Sequence, residues 1–190
     1  MSIELIHGEC LEEMQHIEDG SIDLILTDPP YGTTACKWDS VIPFEPMWKQ
    51  LKRIIKPNGA IVLFGSQPFT SALIMSNPKM FKYNWAWDKV RGSNFATIKK
   101  RPFNSFEEIA VFYKKQCTYN PQMWFSKPYK YKQGRVGESK QTGLKRVDVL
   151  SESKGERYPL SIISFNRANK GKVHPTQKPV ALMEYLIKTY

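Results

Sequence analysis

Apolar residues recur along this chain in two rhythms. Ile22-Asp23-Leu24-Ile25-Leu26-Thr27 is an apolar run of strand length, and Ala60-Ile61-Val62-Leu63-Phe64 is a second. Continuous runs of this kind suit strands covered on both faces. Phe81 to Asp88 and Glu107 to Lys114 are two more strands, rich in aromatic and β-branched residues. Glu4-Leu5-Ile6-His7 and Ser161 to Phe165 read as short strands. Between these runs the spacing turns helical. Leu11, Met14 and Ile17 share one face and end at Asp19-Gly20. Phe44, Met47, Trp48, Leu51, Ile54 and Ile55 follow Pro43 and stop at Pro57-Asn58-Gly59. Gln67 to Ser76 follows the break at Gly65-Ser66, and Val180 to Tyr190 places Leu182, Tyr185, Leu186 and Tyr190 for burial. Strands alternating with helices predict an α/β architecture. At 190 residues the chain suits one domain with a sizeable core. Residues 117–160 keep neither rhythm.

The first interior strand ends abruptly at Asp28-Pro29-Pro30-Tyr31. Proline fixes φ and lacks an N–H, so sheet pairing stops there. The product is a stiff turn at the carboxyl end of a strand, where open α/β sheets hold their ligands. Asp28 can accept a hydrogen bond from an amino group, the Pro29 carbonyl can accept another, and Tyr31 can stack on a base taken out of its duplex. A rigid turn with a capping aspartate and a core tyrosine is the plainer reading of the same four residues.

Charge changes the picture more than composition does. The net charge is +10, and residues 114–172 carry all of that excess, with 14 Lys or Arg against 4 Asp or Glu. A concentrated basic segment is the footprint of a polyphosphate partner, although a solubilising loop has the same composition. Lys89 to Asn94 and Lys99 to Asn104 interleave cations with Phe and Asn, which suits phosphate contact and base stacking as well as it suits a solvated loop. Cys10, Cys36 and Cys117 are odd in number and far apart, so no metal site is indicated and reduced cytoplasmic thiols are the simple account. No apolar run reaches membrane-spanning length, so no membrane partner is expected.

Asp28-Pro29-Pro30-Tyr31 resembles the catalytic motif of the amino-group DNA methyltransferases, which methylate adenine N6 or cytosine N4 with S-adenosylmethionine. His174-Pro175-Thr176-Gln177-Lys178-Pro179 resembles the motif that opens the cofactor-side helix of the same family. The order of the two, with a basic region between them, resembles the β-class. The resemblance implies a Rossmann-like α/β methyltransferase sheet in circularly permuted order. It divides the chain into a catalytic core (1–116), a basic target-recognition region (117–160) and a return to the core (161–190). It implies catalytic roles for Asp28, Pro29, Pro30 and Tyr31, and cofactor contacts from Glu9, Cys10, Asp28, Thr176, Gln177 and Lys178. Glu9 reads equally as a carboxylate favoured at a helix start. The DNA-contact candidates are Lys37, Arg91, Lys99, Lys100, Arg101, Tyr129, Lys130, Lys132, Arg135, Lys145 and Arg146. Adenine N6 is the expected target, because Asp-Pro-Pro-Tyr is more usual there, with cytosine N4 as the alternative base.

One element of the pattern is missing. The β-class carries a glycine-rich cofactor turn after the late motif, and no such spacing occurs in these residues. The sheet is therefore expected to be incomplete at its C-terminal end. The expectation is a truncated or incomplete methyltransferase, or one completed by a second chain, either a copy of this one or one carrying the glycine-rich element. Two other readings stay open: a DNA-binding module without catalysis, and a methyltransferase of RNA or of a protein amide.

Overall fold

A computed structural model describes residues 3–133, 149–168, 171, 173–174 and 176–190. In chain order the elements are α1 (Cys10–Glu13), β1 (Ile22–Thr27), α2 (Phe44–Ile54), β2 (Ile55–Gly65), α3 (Phe69–Ser76), β3 (Phe81–Ser93), β4 (Asn104–Phe112), β5 (Trp124–Phe125), β6 (Tyr129–Gln133), β7 (Val149–Ser153), β8 (Glu156–Arg157), β9 (Ile162–Ser164) and α4 (Val180–Thr189). Two compact units result, one of residues 1–120 and 160–190, the other of residues 121–159. Among the described residues, no helix is long and apolar enough to cross a membrane.

The larger unit is a five-stranded sheet in the order β1-β2-β4-β3-β9. β1 runs parallel to β2, and β9 parallel to β3, while β4 runs against both of its neighbours. Strand residues alternate between faces, and the core divides accordingly. Val62 and Phe64 of β2 and Ile109 and Val111 of β4 join Trp85, Trp87, Leu182 and Leu186 under α4. Ile61, Leu63, Ala110 and Phe112 join Met47, Trp48 and Leu51 of α2 and Phe69 and Leu73 of α3 on the other face. This double cover explains the apolar runs Ala60-Ile61-Val62-Leu63-Phe64 in β2 and Ile109-Ala110-Val111-Phe112 in β4.

Residues 4–7 are not a strand. Ile3, Leu5 and Ile6 are 88%, 93% and 57% exposed. Among the described residues β1 pairs only with β2, so this segment finds no ladder to join, and an extended segment with no ladder buries nothing. The α1 region is held instead by Arg53, whose guanidinium bonds the carbonyl of Ile17 at 2.7 Å and that of Met14 at 2.5 Å and pairs with Asp19.

In the smaller unit β5 pairs with β8 and β6 with β7. The Arg157 guanidinium lies 4.7 Å from the Tyr129 ring centre, and Tyr129 packs on Tyr131 at 5.5 Å.

Candidate active site

One end of the five-stranded sheet gathers most of the candidate catalytic and late-motif side chains. Thr27 of β1 lies beside Leu63 of β2, so Asp28 emerges where the β2 turn begins. Gly65 of β2 lies opposite Glu108 of β4, and Glu107 opposite Trp87 of β3. The carboxyl ends of β1, β2 and β3 and the start of β4 therefore meet. A cleft of about 540 Å³ opens there.

Pro29 is buried, and Tyr31 is pinned on three sides. Its ring stacks on Phe69 at 5.1 Å, its hydroxyl donates to Asp28 Oδ1 at 2.5 Å, and its backbone N–H donates to Asp39 Oδ1 at 2.8 Å. Burial, and then the Asp28 charge, raise its phenol well above the ordinary range. Asp39 also accepts from the N–H groups of Gly32, Thr33 and Thr34 at 2.7–2.9 Å. Burial alone would raise its carboxyl, but the hydrogen bonds from Thr34, Gly32 and Thr33 outweigh that and hold it at about 2. This carboxylate fixes the chain reversal after Tyr31, where Gly32 takes a φ of +68°.

Lys178 crosses the cleft from the start of α4. Its ammonium lies 3.0 Å from Asp28 Oδ2 and 2.8 Å from Glu107 Oε2, with the side chain 11% exposed. It also sits 5.0 Å from the Phe64 ring centre, and 5.7 and 5.8 Å from those of Tyr31 and Trp87. The second oxygen of Glu107 faces Lys89 Nζ at 3.4 Å. Burial lowers the Lys89 ammonium, and Glu107 opposes that shift. Asp28, Lys178, Glu107 and Lys89 thus alternate in sign, and each of the four has an opposite charge beside it.

His174 Nδ1 lies 2.9 Å from Thr176 Oγ1, and Gln177 Oε1 accepts from the Val173 N–H at 2.8 Å. Trp38 meets the His174 ring edge-on at 5.7 Å, so the loop after Tyr31 touches the late motif. Thr176, Gln177 and Lys178 all line the cleft beside Asp28, Pro29, Pro30 and Tyr31. Pro175 lies outside the described residues.

Other sequence candidates lie elsewhere. Glu9 caps α1 by accepting from the Leu11 N–H at 2.8 Å, and Cys10 is exposed beside it; neither lines the cleft. Lys37, Arg91, Lys99 and Lys100 are exposed, and Arg101 lines a second cleft of about 280 Å³ that shares Glu107 with the first. Tyr129 and Lys130 belong to the smaller unit, where Lys130 pairs with Glu152 at 3.1 Å. The backbone of Lys132 lies in β6, while Arg135, Lys145 and Arg146 fall outside the described residues.

The sequence reading overlooked Glu107 and Asp39, and placed Lys89 in a phosphate-contacting loop although the structure buries it. A signal was present. Trp85, Trp87 and Lys89 occupy alternate positions of one strand, so the lysine continues a buried tryptophan row. Among the described residues, no group of three His, Cys, Asp or Glu side chains is placed to hold a metal ion.

An α/β sheet with a charged cleft at one end of its strands defines the class of fold. Among solved structures, the PvuII DNA methyltransferase, titled cytosine-N4-specific, matches 96% of this chain and 68% of its own with a TM-score of 0.61 at 14% identity, a likeness of fold. A family model for N6 and N4 methyltransferases, described as DNA methylase, matches residues 22–190. The chain belongs to that family. Curated relatives include the type II methyltransferase M.HpaI of Haemophilus parainfluenzae, 28% identical over 98% of this chain. The DNA adenine methyltransferase YhdJ of Escherichia coli K12 is 25% identical over 96% of it. The chain spans 59% and 65% of those relatives' lengths.

Proposed function

We propose that the chain moves a methyl group from S-adenosylmethionine to the exocyclic amine of a base in DNA, with adenine N6 as the target. The observation that carries this reading is the convergence of Asp28, Tyr31 and Lys178 in one cleft. Family membership supports it, and the adenine specificity in YhdJ's name supports the choice of base.

The lining suits the methionine end of that cofactor. A sulfonium favours carboxylates and aromatic faces, and Asp28, Glu107, Tyr31 and Trp87 offer both. An amino acid carboxylate favours Lys178, Thr176 and Gln177. When bound, the cofactor supplies a methyl group that is already activated on sulfur.

The protein's own part is positioning. An amine conjugated to a base ring is a weak nucleophile, because its lone pair is delocalised into the ring. Asp28 accepts from one N–H and the Pro29 carbonyl from the other, which favours a pyramidal nitrogen and withdraws its lone pair from conjugation with the ring. Tyr31 offers its ring to the extruded base while its hydroxyl and N–H hold it in place.

The test is incubation of the chain with tritiated S-adenosylmethionine and unmethylated DNA, followed by nucleoside analysis. N6-methyladenine is the expected product. N4-methylcytosine would move the target base, and absence of any labelled nucleoside would overturn the reading.

A further inference from the structure

The connection from β3 to β4 is a braced tip rather than a slack loop. Asn94 sits at a left-handed φ of 65°. Its side chain donates to Thr97 Oγ1 at 2.8 Å and accepts from the Asn104 N–H at 2.7 Å. Arg101 Nε donates to the same Thr97 hydroxyl at 3.0 Å, and the Lys100 and Arg101 N–H groups bond the Thr97 carbonyl at 2.9 and 3.1 Å. Gly92 lets Phe103 lie across the strand: a Cβ at position 92 would come within 2.3 Å of that side chain.

This bracing holds apolar rings outward. Phe95 and Phe103 meet edge to face at 5.1 Å and are 68% and 45% exposed. Ile98 beside them is also exposed. From residue 89 to residue 106 the chain holds Lys89, Arg91, Lys99, Lys100 and Arg101 and no acidic residue. The base of the tip belongs to the site described above, because Ser93 lines the Asp28 cleft and pairs with Asn104 across the hairpin.

We propose that this tip is a wedge for duplex DNA. Its exposed cations would sit on the backbone phosphates, and Phe95 with Phe103 would occupy the stacking space left by the extruded base. The inference rests on the reading that the chain acts on a base in DNA. A base inside a duplex must leave its stack to reach a cleft, and apolar side chains inserted between base steps hold such an opening. Aromatic rings stack on any base face, so the wedge needs no sequence preference.

The test measures fluorescence anisotropy of two labelled duplexes that differ only in one abasic position. A site without its base is already open, so a wedge should favour it. The unaltered chain is expected to bind the abasic duplex about tenfold more tightly than the paired one. Phe95→Ala/Phe103→Ala is expected to bind both equally, with the salt dependence unchanged, because the cations remain. Phe95→Ala alone, at the more exposed ring, is expected to lose part of the preference without disturbing the packing over Gly92. Retention of the full preference by the double variant overturns the wedge. So does a change in oligomeric state by size exclusion with DNA affinity untouched, which would make the rings a contact between copies of the chain. If the unaltered chain binds neither duplex, the reading of DNA as substrate fails together with the wedge.

Discussion

Lys178 Nζ lies 3.0 Å from Asp28 Oδ2, joining the motif that opens the last helix to the turn that ends the first strand. The same ammonium holds Glu107 at 2.8 Å, so one cation separates two carboxylates. Replacing it with methionine removes the charge and turns both carboxylates toward each other. Lys178→Met is expected to lower methyl transfer by about a hundredfold or more, with DNA affinity within about threefold. Lys178→Arg keeps the charge and should recover part of the rate.

Glu107 holds two lysines, and Lys89 has only 4% of its side chain exposed. Removing one partner of a buried pair leaves a charge in a poor medium. Glu107→Ala is expected to cost about 3–5 kcal/mol in urea denaturation. Glu107→Gln keeps an acceptor and should cost less. Equal stability of Glu107→Ala and the unaltered chain would refute the role of Glu107 as their shared partner.

Asp39 predicts a pH dependence. Its carboxyl sits at about 2 in the folded chain, against an ordinary 3.8. The folded state therefore favours its ionised form, and that stability is complete above about pH 4 and is lost as pH falls toward 2. Asp39→Asn removes this component and leaves backbone N–H groups poorly satisfied, at about 1–3 kcal/mol near neutral pH. Denaturation curves of the two proteins should converge as pH falls through that window.

Tyr31 separates stacking from hydrogen bonding. Tyr31→Phe keeps the ring on Phe69 but loses the bond to Asp28. It is expected to retain most of the stability and to lose about tenfold in transfer rate, close to the worth of one hydrogen bond to a charged group. Tyr31→Ala should lose far more. The phenol is held well above its ordinary range, so the rate profile should have no alkaline limb near pH 10 from this group.

Local signals in the sequence carried far in some places and failed in others. Asp28-Pro29-Pro30-Tyr31 was legible because two prolines after an apolar run leave the backbone little choice. β2 and β4 were legible because both of their faces are covered. Residues 4–7 misled, since Leu5 and Ile6 have the strand pattern but find no neighbouring ladder among the described residues. Glu107 and Lys89 were hidden because a charge beside an apolar run normally reads as solvated. Only the antiparallel register of β3 and β4 brings them together. Asp39 was overlooked because its four N–H partners are visible only once the chain has turned at Gly32.

The most direct measurement compares Asp28→Asn with Asp28→Ala in methyl transfer to the same DNA. Asparagine keeps an acceptor oxygen for the amine, and alanine keeps none. The account predicts measurable transfer by Asp28→Asn and none by Asp28→Ala, with both variants folded. Transfer by Asp28→Ala at the rate of the unaltered chain would contradict it.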